Sequence, residues 1–455
     1  MTTPAGALSL EEQIDRWRSY LARRRAIQPI DVAELEDHLR EQIAGLTEAG
    51  LASDEAFLIA VKRMGDLDAI SREFAREHSD GLWKQLVVPG TDTAAAPALR
   101  SDAVAAFCFA GAAAILMKLP ALFGLDLQAD AGFYARNVSL FVLLPLTAYF
   151  AWKRRLAPAS LRWLPVAFAV AAVFANVYPF GPAADTLVLT VLHLPIALWL
   201  AVGVAYAGGR WNEVAGRMDF IRFSGELFIY YALIALGGAV LMAFMAMIFE
   251  AIGIKVESFF QYWLLPCGAT GAVLVAAWLV EAKQSVIENM APVLTQLFTP
   301  MFAAVLIAFL GTWLVAGQGL PIDRNVLIAF DVLLALVLCL LLYSISARDP
   351  RSPPGVFDVV RVVLVISALL ADALALSAIA ARISEFGFTP NRVAALGENV
   401  ILLVNLAWSA VLYLRFLRGR GSFGALERWQ TGYLPVYAGW AALVVVVFPP
   451  LFGYI

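Results

Sequence analysis

Polar side chains that could bind a ligand or carry protons lie inside long apolar stretches of this sequence. Asp372 stands in the run LLADALAL, near the middle of one such stretch. Asn391, Glu398 and Asn405 follow at steps of seven, which places them on one helix face with a drift of about 20° per step. A polar face on an apolar helix must turn towards neighbouring helices or a wet cavity. The pattern predicts either a binding site or polar contacts that hold helices together.

Two groups of residues form the candidate sites. The first group is the candidate intramembrane site: Asp331, Asp372, Asn391, Arg392, Glu398 and Asn405. The second group lies towards the predicted cytoplasmic side and again repeats at steps of seven: Asp219, Glu226, Glu281 and Glu288. Solvated helix ends are the alternative for the second group. A lone histidine on an apolar helix is usually a core residue, and we expect this of His193.

Long apolar runs must position these residues, and eleven of them can cross about 30 Å of hydrocarbon. They lie near 103–123, 135–152, 161–178, 187–207, 226–249, 259–280, 293–316, 326–344, 359–381, 395–416 and 433–454. The prediction is an all-α, polytopic membrane helix bundle of about 11 transmembrane helices.

The distribution of Lys and Arg predicts the orientation of the bundle. One set of alternate connecting segments carries fifteen of these residues and the other set carries five. The set of fifteen includes the segments around 153–162, 210–222 and 415–428. These segments are therefore expected in the cytoplasm, with the C-terminus outside. The expected location is the inner (cytoplasmic) membrane of the cell, with the lipid bilayer as a partner.

Composition supports this class and excludes others. Of the 455 residues 61% are hydrophobic and 15% charged, and the mean hydropathy is +0.76. A soluble core cannot bury that apolar excess. The net charge of -3 gives no electrostatic reason to expect nucleic acid as a partner.

The first hundred residues differ from the rest, because they hold 12 Lys/Arg and 17 Asp/Glu. Residues 1–86 are predicted to form a small soluble helical domain in the cytoplasm, without a signal peptide before it. Residues 87–101, which begin VVPGTDTAAAPAL, are predicted as a linker. Residues 102–455 then form the transmembrane domain.

Residues 1–86 resemble the bacterial permease-prefix domain. The resemblance lies in residues 34–78, which read ELEDHLREQIAGLTEAGLASDEAFLIAVKRMGDLDAISREFAREH. The resemblance rests on three turns, at 34–40, 50–56 and 65–70. It implies a regulatory or interaction module placed before a membrane domain, and hence a cytoplasmic protein partner. A bundle that only assists folding is the alternative.

The transmembrane domain, residues 102–455, is similar to the bacterial membrane family called domain of unknown function 4153. The similar segments are HLPIALWL (193–200), FIRFSGELFIYYALIALGG (220–238), LPCGATGAVLVAAWLVEAKQSVIENMAPVLTQLFTP (265–300) and GFTPNRVAALGENVILLVNL (387–406). The resemblance implies a polytopic fold and brings no catalytic residue or substrate.

Three classes of function remain open. The first is a permease or transporter whose polar residues line the path of a small molecule or ion. The second is a membrane-embedded sensor or regulator that couples to a cytoplasmic partner. The third, less favoured, is a lipid-modifying enzyme. The sequence has no H-E-x-x-H, no phosphate-binding P-loop and no G-x-S-x-G motif, and only three histidines. An enzyme is therefore the less favoured class, and neither a metal site nor a cofactor is expected.

Overall fold

The computed structural model describes most of the chain and divides it into two units, Met1–Ala96 and Pro97–Ile455. The described residues are 10–11, 13–15, 29–48, 51–63, 96–181, 184–251, 254–282, 290–316, 324–348, 350 and 352–455. Within these ranges the regular structure is helical and contains no strand. The prediction of an all-α chain is confirmed at this level.

The first unit contains helices α1 (Pro29–Glu48) and α2 (Ser53–Arg63). They pack through a small apolar core: Ile14, Leu39, Ile43, Leu46, Ala56 and Ala60. Beside this core Arg40 donates to Glu11 at 2.8 Å and to Glu36 at 2.9 Å. These two carboxylates hold the pKa of Arg40 above its usual range. The predicted turn at 65–70 lies outside the described residues.

Among its described residues, the second unit contains eleven longer helices. They are α3 (Ala96–Lys118), α4 (Ala131–Lys153), α5 (Trp163–Val177), α6 (Asp185–Ala207), α7 (Val214–Ala251), α8 (Leu265–Ala282), α9 (Met290–Ala316), α10 (Arg324–Ser346), α11 (Val356–Phe386), α12 (Pro390–Leu417) and α13 (Gly424–Leu451). Helix α3 begins inside the segment 87–101 that was predicted as a linker. A π-helical turn, Phe260–Leu264, leads into α8.

The length and composition of these helices identify a multi-pass membrane protein. In the part of the chain that the structure describes, nine helices are long and apolar enough to cross a membrane. Two shorter apolar helical segments, Trp163–Val177 and Phe330–Ser346, coincide with the other two predicted spans. The nine helices support the polytopic class, and the total of about 11 spans stays a prediction.

Two apolar cores hold the bundle together. The first is formed mainly by α3 to α6, α8 and the first half of α7. The second is formed mainly by α9 to α12 and the start of α13. Helix α7 contributes to both cores, with Phe223 in the first and Ile221 in the second. Helix α6 packs against α12 and α13, so the two halves also meet there.

Helices α11 and α12 pack side by side along much of their length. A short turn at 387–389 joins them, which favours antiparallel neighbours. Thr389 is the N-cap of α12 and Pro390 its first residue, the position at which a helix accommodates proline best. The Thr389 hydroxyl accepts a hydrogen bond from the backbone N–H of Arg392 at 3.4 Å. The cap begins α12 nine residues before Asn399 and so sets the position of the polar residues that follow.

Candidate functional site

Five polar residues from four helices form the strongest candidate site, which we call the intramembrane polar site. They are His193 of α6, Asp331 of α10, Asp372 of α11, and Glu398 and Asn399 of α12. Three of these residues, Asp331, Asp372 and Glu398, belong to the set predicted from the sequence.

His193 joins Glu398 across the two halves of the bundle. Its Nε2 lies 2.5 Å from Glu398 Oε1, and its Nδ1 lies 2.8 Å from the carbonyl oxygen of Leu189. Because a carbonyl only accepts, Nδ1 must carry a proton and donate. One further proton then lies between Nε2 and Glu398, as an imidazolium–carboxylate or an imidazole–carboxylic acid pair. In either form the pair has no net charge.

Asp331 contacts the neighbouring amide of Asn399 on α12. Asn399 Nδ2 donates to Asp331 Oδ1 and to the carbonyl of Ala395, each at 2.8 Å. Asn399 is fully buried, and its Oδ1 has no hydrogen-bond partner among the described residues. The hydrogen bond between Asn399 and Asp331 connects α10 to α12. Asp331 also lies near enough to Glu398 and to Asp372 of α11 for their charges to interact.

Asp372 is the most unusual member of the site. Its side chain is 0% exposed, and neither carboxylate oxygen has a hydrogen-bond partner among the residues that the structure describes. Buried polar groups in folded proteins are nearly always hydrogen-bonded, so each exception requires an explanation. An unpaired buried carboxylate is costly unless something neutralises it.

Gly397 sets the distance between α12 and α13 beside the site. A Cβ atom at this position would lie 2.1 Å from both Cζ2 and Cη2 of Trp440 on α13. Trp440 in turn packs edge-on against Phe448, with 5.9 Å between the ring centroids. Only glycine therefore allows α13 to approach α12 immediately before Glu398.

The remaining residues of the predicted intramembrane set lie elsewhere. Asn405 and Gln430 of α13 exchange amide hydrogen bonds at 3.1 and 3.3 Å, and Gln430 also donates to Ser409 at 2.7 Å. Arg392 donates to the carbonyls of Phe386 and Gly387, at the end of α11. Asn391 is half-buried in the first turn of α12. The predicted polar face of α12, formed by Asn391, Glu398 and Asn405, thus makes contacts in several different places.

Two of the predicted cytoplasmic-side residues, Asp219 and Glu281, pair with cations in separate places. Asp219 lies 3.6 Å from Arg210. Glu281 is buried and pairs with Arg154 at 2.8 Å and Lys153 at 3.4 Å. Glu226 is buried in α7. Glu288 lies outside the described residues.

Two members of the site, His193 and Asn399, were not in the predicted set. A signal for His193 exists in the sequence. His193, Asp331 and Glu398 follow the first residues of α6, α10 and α12 by eight, seven and eight positions. These helices run in the same direction if spans alternate, so a helix rise of about 1.5 Å per residue gives the three side chains a similar depth.

A metal centre built from several strong ligands is not present in the described part of the chain, where no group of three or more His, Cys, Asp or Glu side chains could hold a metal ion. Comparison with protein-family models, with curated proteins and with solved structures found no match to this chain. The resemblances to the permease-prefix domain and to the domain of unknown function 4153 therefore stay predictions, and the site's own geometry must carry the functional argument.

Proposed function

We propose that this protein is a permease whose transport path runs past the intramembrane polar site. The observation that carries the proposal is Asp372, a fully buried carboxylate without a hydrogen-bond partner among the described residues. Ionisable residues inside membrane spans are costly and commonly mark the paths of ions, protons or substrates.

Comparison with a second polar cluster in the same bundle indicates that Asp372 does not serve to hold helices together. Asn405, Ser409 and Gln430 are each 0% exposed, and they are linked by hydrogen bonds between α12 and α13. This is how polar residues join helices in a membrane. Asp372 makes no such bond to a described residue, so its burial brings no comparable structural gain.

The position of the site suits a path between the two halves of the bundle. The His193–Glu398 pair joins α6 of the first half to α12 of the second. Glu398 keeps 34% of its side chain exposed, whereas His193 keeps 5%. We therefore assign Glu398 to the open side of the site, whereas Asp372 is fully buried.

The proposal extends to location and orientation. The protein lies in the bacterial inner membrane with its N-terminus in the cytoplasm and its C-terminus outside, because the fifteen-to-five division of Lys and Arg favours that direction. The domain 1–86 then acts in the cytoplasm as a regulatory or interaction module for the path.

Thiol labelling tests the path without knowledge of the substrate. The three native cysteines, Cys108, Cys267 and Cys339, are free and are first replaced by alanine. Glu398→Cys is then introduced and exposed to a membrane-impermeant cationic methanethiosulfonate in vesicles. The matched control is Val404→Cys on the same helix, where the native side chain is 49% exposed on the apolar surface.

A path open to water predicts rapid labelling at position 398 and none at position 404, because methanethiosulfonates react with the hydrated thiolate. Absence of labelling at 398 from both sides of the membrane would show a dry bundle. In that case the polar site is structural and the permease proposal is wrong.

A further inference from the structure

We infer that the His193–Glu398 pair binds a proton, and that release of this proton opens the bundle between α6 and α12. The inference rests on the proposed function, because it names a proton as the ion that opens and closes the path. It stands on three observations: the direct contact of the two side chains, the fixed orientation of the imidazole, and the position of the pair between the two halves of the bundle.

The geometry of the pair requires a proton between the two side chains. His193 Nε2 lies 2.5 Å from Glu398 Oε1, which leaves no room for a metal ion or a water molecule between them. The other ring nitrogen is already occupied, because Nδ1 donates to the carbonyl oxygen of Leu189 at 2.8 Å. Without a proton, the lone pair of Nε2 would face a carboxylate oxygen, and two acceptors cannot form a hydrogen bond. The closed contact therefore holds one proton that the separated side chains can release to water.

The pair lies where α6 of the first half meets α12 of the second half. Leu189 and Ala394, which stand one turn before His193 and Glu398, belong to one buried apolar cluster. Glu398 keeps 34% of its side chain exposed, which gives the proton a route to water. Loss of the proton replaces a hydrogen bond with repulsion beside this small cluster, and it therefore favours separation of α6 from α12.

The titratable groups closest to the pair are acidic. Asp331 of α10 lies near enough to Glu398 for their charges to interact, and Asp372 of α11 lies near enough to Asp331. On α6 itself, Asp185 stands about two turns before His193. An acidic group cannot take the place of the shared proton.

The other neighbouring helices bring no cation to the pair among the described residues. Arg392, earlier on α12, donates to backbone carbonyls at the end of α11, and Arg136 of α4 lies over two phenylalanine rings. Helix α5 has no titratable residue, and α13 places the ring of Trp440, which does not titrate, against α12. Helix α7 meets α6 further along, where Trp199 donates to Ser224. The proton is therefore the cation of this contact.

Labelling of a cysteine buried beside the pair tests the inference. The reporter is Ala394→Cys in the full-length chain whose native cysteines, Cys108, Cys267 and Cys339, are replaced by alanine. Ala394 is 1% exposed, so the reporter reacts with a water-soluble methanethiosulfonate only when the helices separate. The rate is measured in detergent at about pH 5 and about pH 9, outside the range in which histidine normally titrates.

Glu398→Gln is the matched control, because the glutamine amide can donate to His193 Nε2 without titrating. Comparison of the two chains at the same pH removes the effect of pH on the thiol itself. We expect equal rates at about pH 5 and a rate at least about tenfold higher for the native pair at about pH 9. The reason is that a difference of one bound proton changes the ratio of closed to open states by up to about tenfold per pH unit.

Two further variants complete the experiment. His193→Leu removes the contact at every pH and serves if Glu398→Gln does not fold; its reporter should react faster than that of the native pair at about pH 5 and equally fast at about pH 9. Glu385→Gln removes an exposed carboxylate from α11 and should leave the rates of the native pair unchanged.

Equal rates for the native pair and Glu398→Gln at both pH values would show that no proton controls the contact and would overturn the inference. So would a His193→Leu reporter that reacts faster than the native pair by the same factor at both pH values. Labelling at position 398 is independent, because Glu398→Cys lacks the pair. Labelling there without a pH response at position 394 overturns this inference and leaves the permease proposal standing. A pH response without labelling at 398 refutes the permease proposal and leaves only the proton-dependent contact.

Discussion

Replacing Gly397 with alanine should destabilise the bundle next to the polar site. The new Cβ would lie 2.1 Å from two ring atoms of Trp440, whereas carbon atoms pack best at about 3.5–4.0 Å. The ring must therefore move by more than about 1 Å, but Phe448 lies behind it and belongs with Leu189, Ala394 and Val444 to one buried cluster. Overpacking of this kind costs about 1–3 kcal/mol.

The assay is thermal unfolding in detergent, followed by the fluorescence of the 12 tryptophans at one fixed scan rate, because such unfolding is often irreversible. Gly397→Ala should lower Tm. The matched control is Gly432→Ala on α13, where a Cβ would meet nothing within 4 Å and where alanine should stabilise the helix by up to about 1 kcal/mol. A second substitution, Trp440→Leu, removes the colliding ring and should abolish the penalty of alanine at 397. A Tm for Gly397→Ala equal to the wild type would refute the packing of α13 against α12 described here.

Three other substitutions test contacts away from Gly397. Asp358 is buried and accepts hydrogen bonds from Arg348 at 3.1 Å and from Arg361 at 2.7 Å, so Asp358→Asn should cost about 3–5 kcal/mol; an unchanged Tm would contradict the buried pairing. Asn405→Leu removes the hydrogen bonds to Gln430 and should cost about 0.6–2 kcal/mol of stability. Thiol labelling at position 398 should continue in this variant. Loss of labelling would mean that the Asn405 cluster and the intramembrane polar site act as one. Glu281→Gln should lower Tm by weakening the contacts to Arg154 and Lys153. The control Asp219→Asn removes one partner of an exposed pair and should change the free energy of unfolding by less than about 1 kcal/mol.

The sequence predicts the class and the positions of the helices well because the bilayer imposes a simple rule. An apolar run of about 20 residues forms one helix, since every backbone group must be satisfied within it. The start of a helix can also be predicted from the local sequence: a capping threonine followed by proline, Thr389 and Pro390, begins α12.

The side chain that each polar residue contacts cannot be predicted from the local sequence in the same way. His193 and Glu398 are separated by 205 positions, and nothing in their local sequence indicates that α6 packs against α12. The spacing of seven predicts that Asn405 and Glu398 share one face of α12. In the structure Asn405 contacts Gln430 of α13, whereas Asn399, the residue after Glu398, contacts Asp331 of α10. The absence of a side chain at Gly397 lets the Trp440 ring of α13 lie against α12. Helix packing, which depends on such pairs, decides which polar residues share a site.

The proposed function requires that Asp372 serves a ligand and not the fold. The Tm of full-length Asp372→Asn tests this requirement, since asparagine keeps the shape of the side chain and removes its charge. A buried carboxylate without a partner is costly in its charged form, and Asp372 has no hydrogen-bond partner among the described residues. We therefore expect a Tm equal to or above that of the wild type. A Tm several degrees below the wild type would show that the carboxylate supports the fold and would contradict the account.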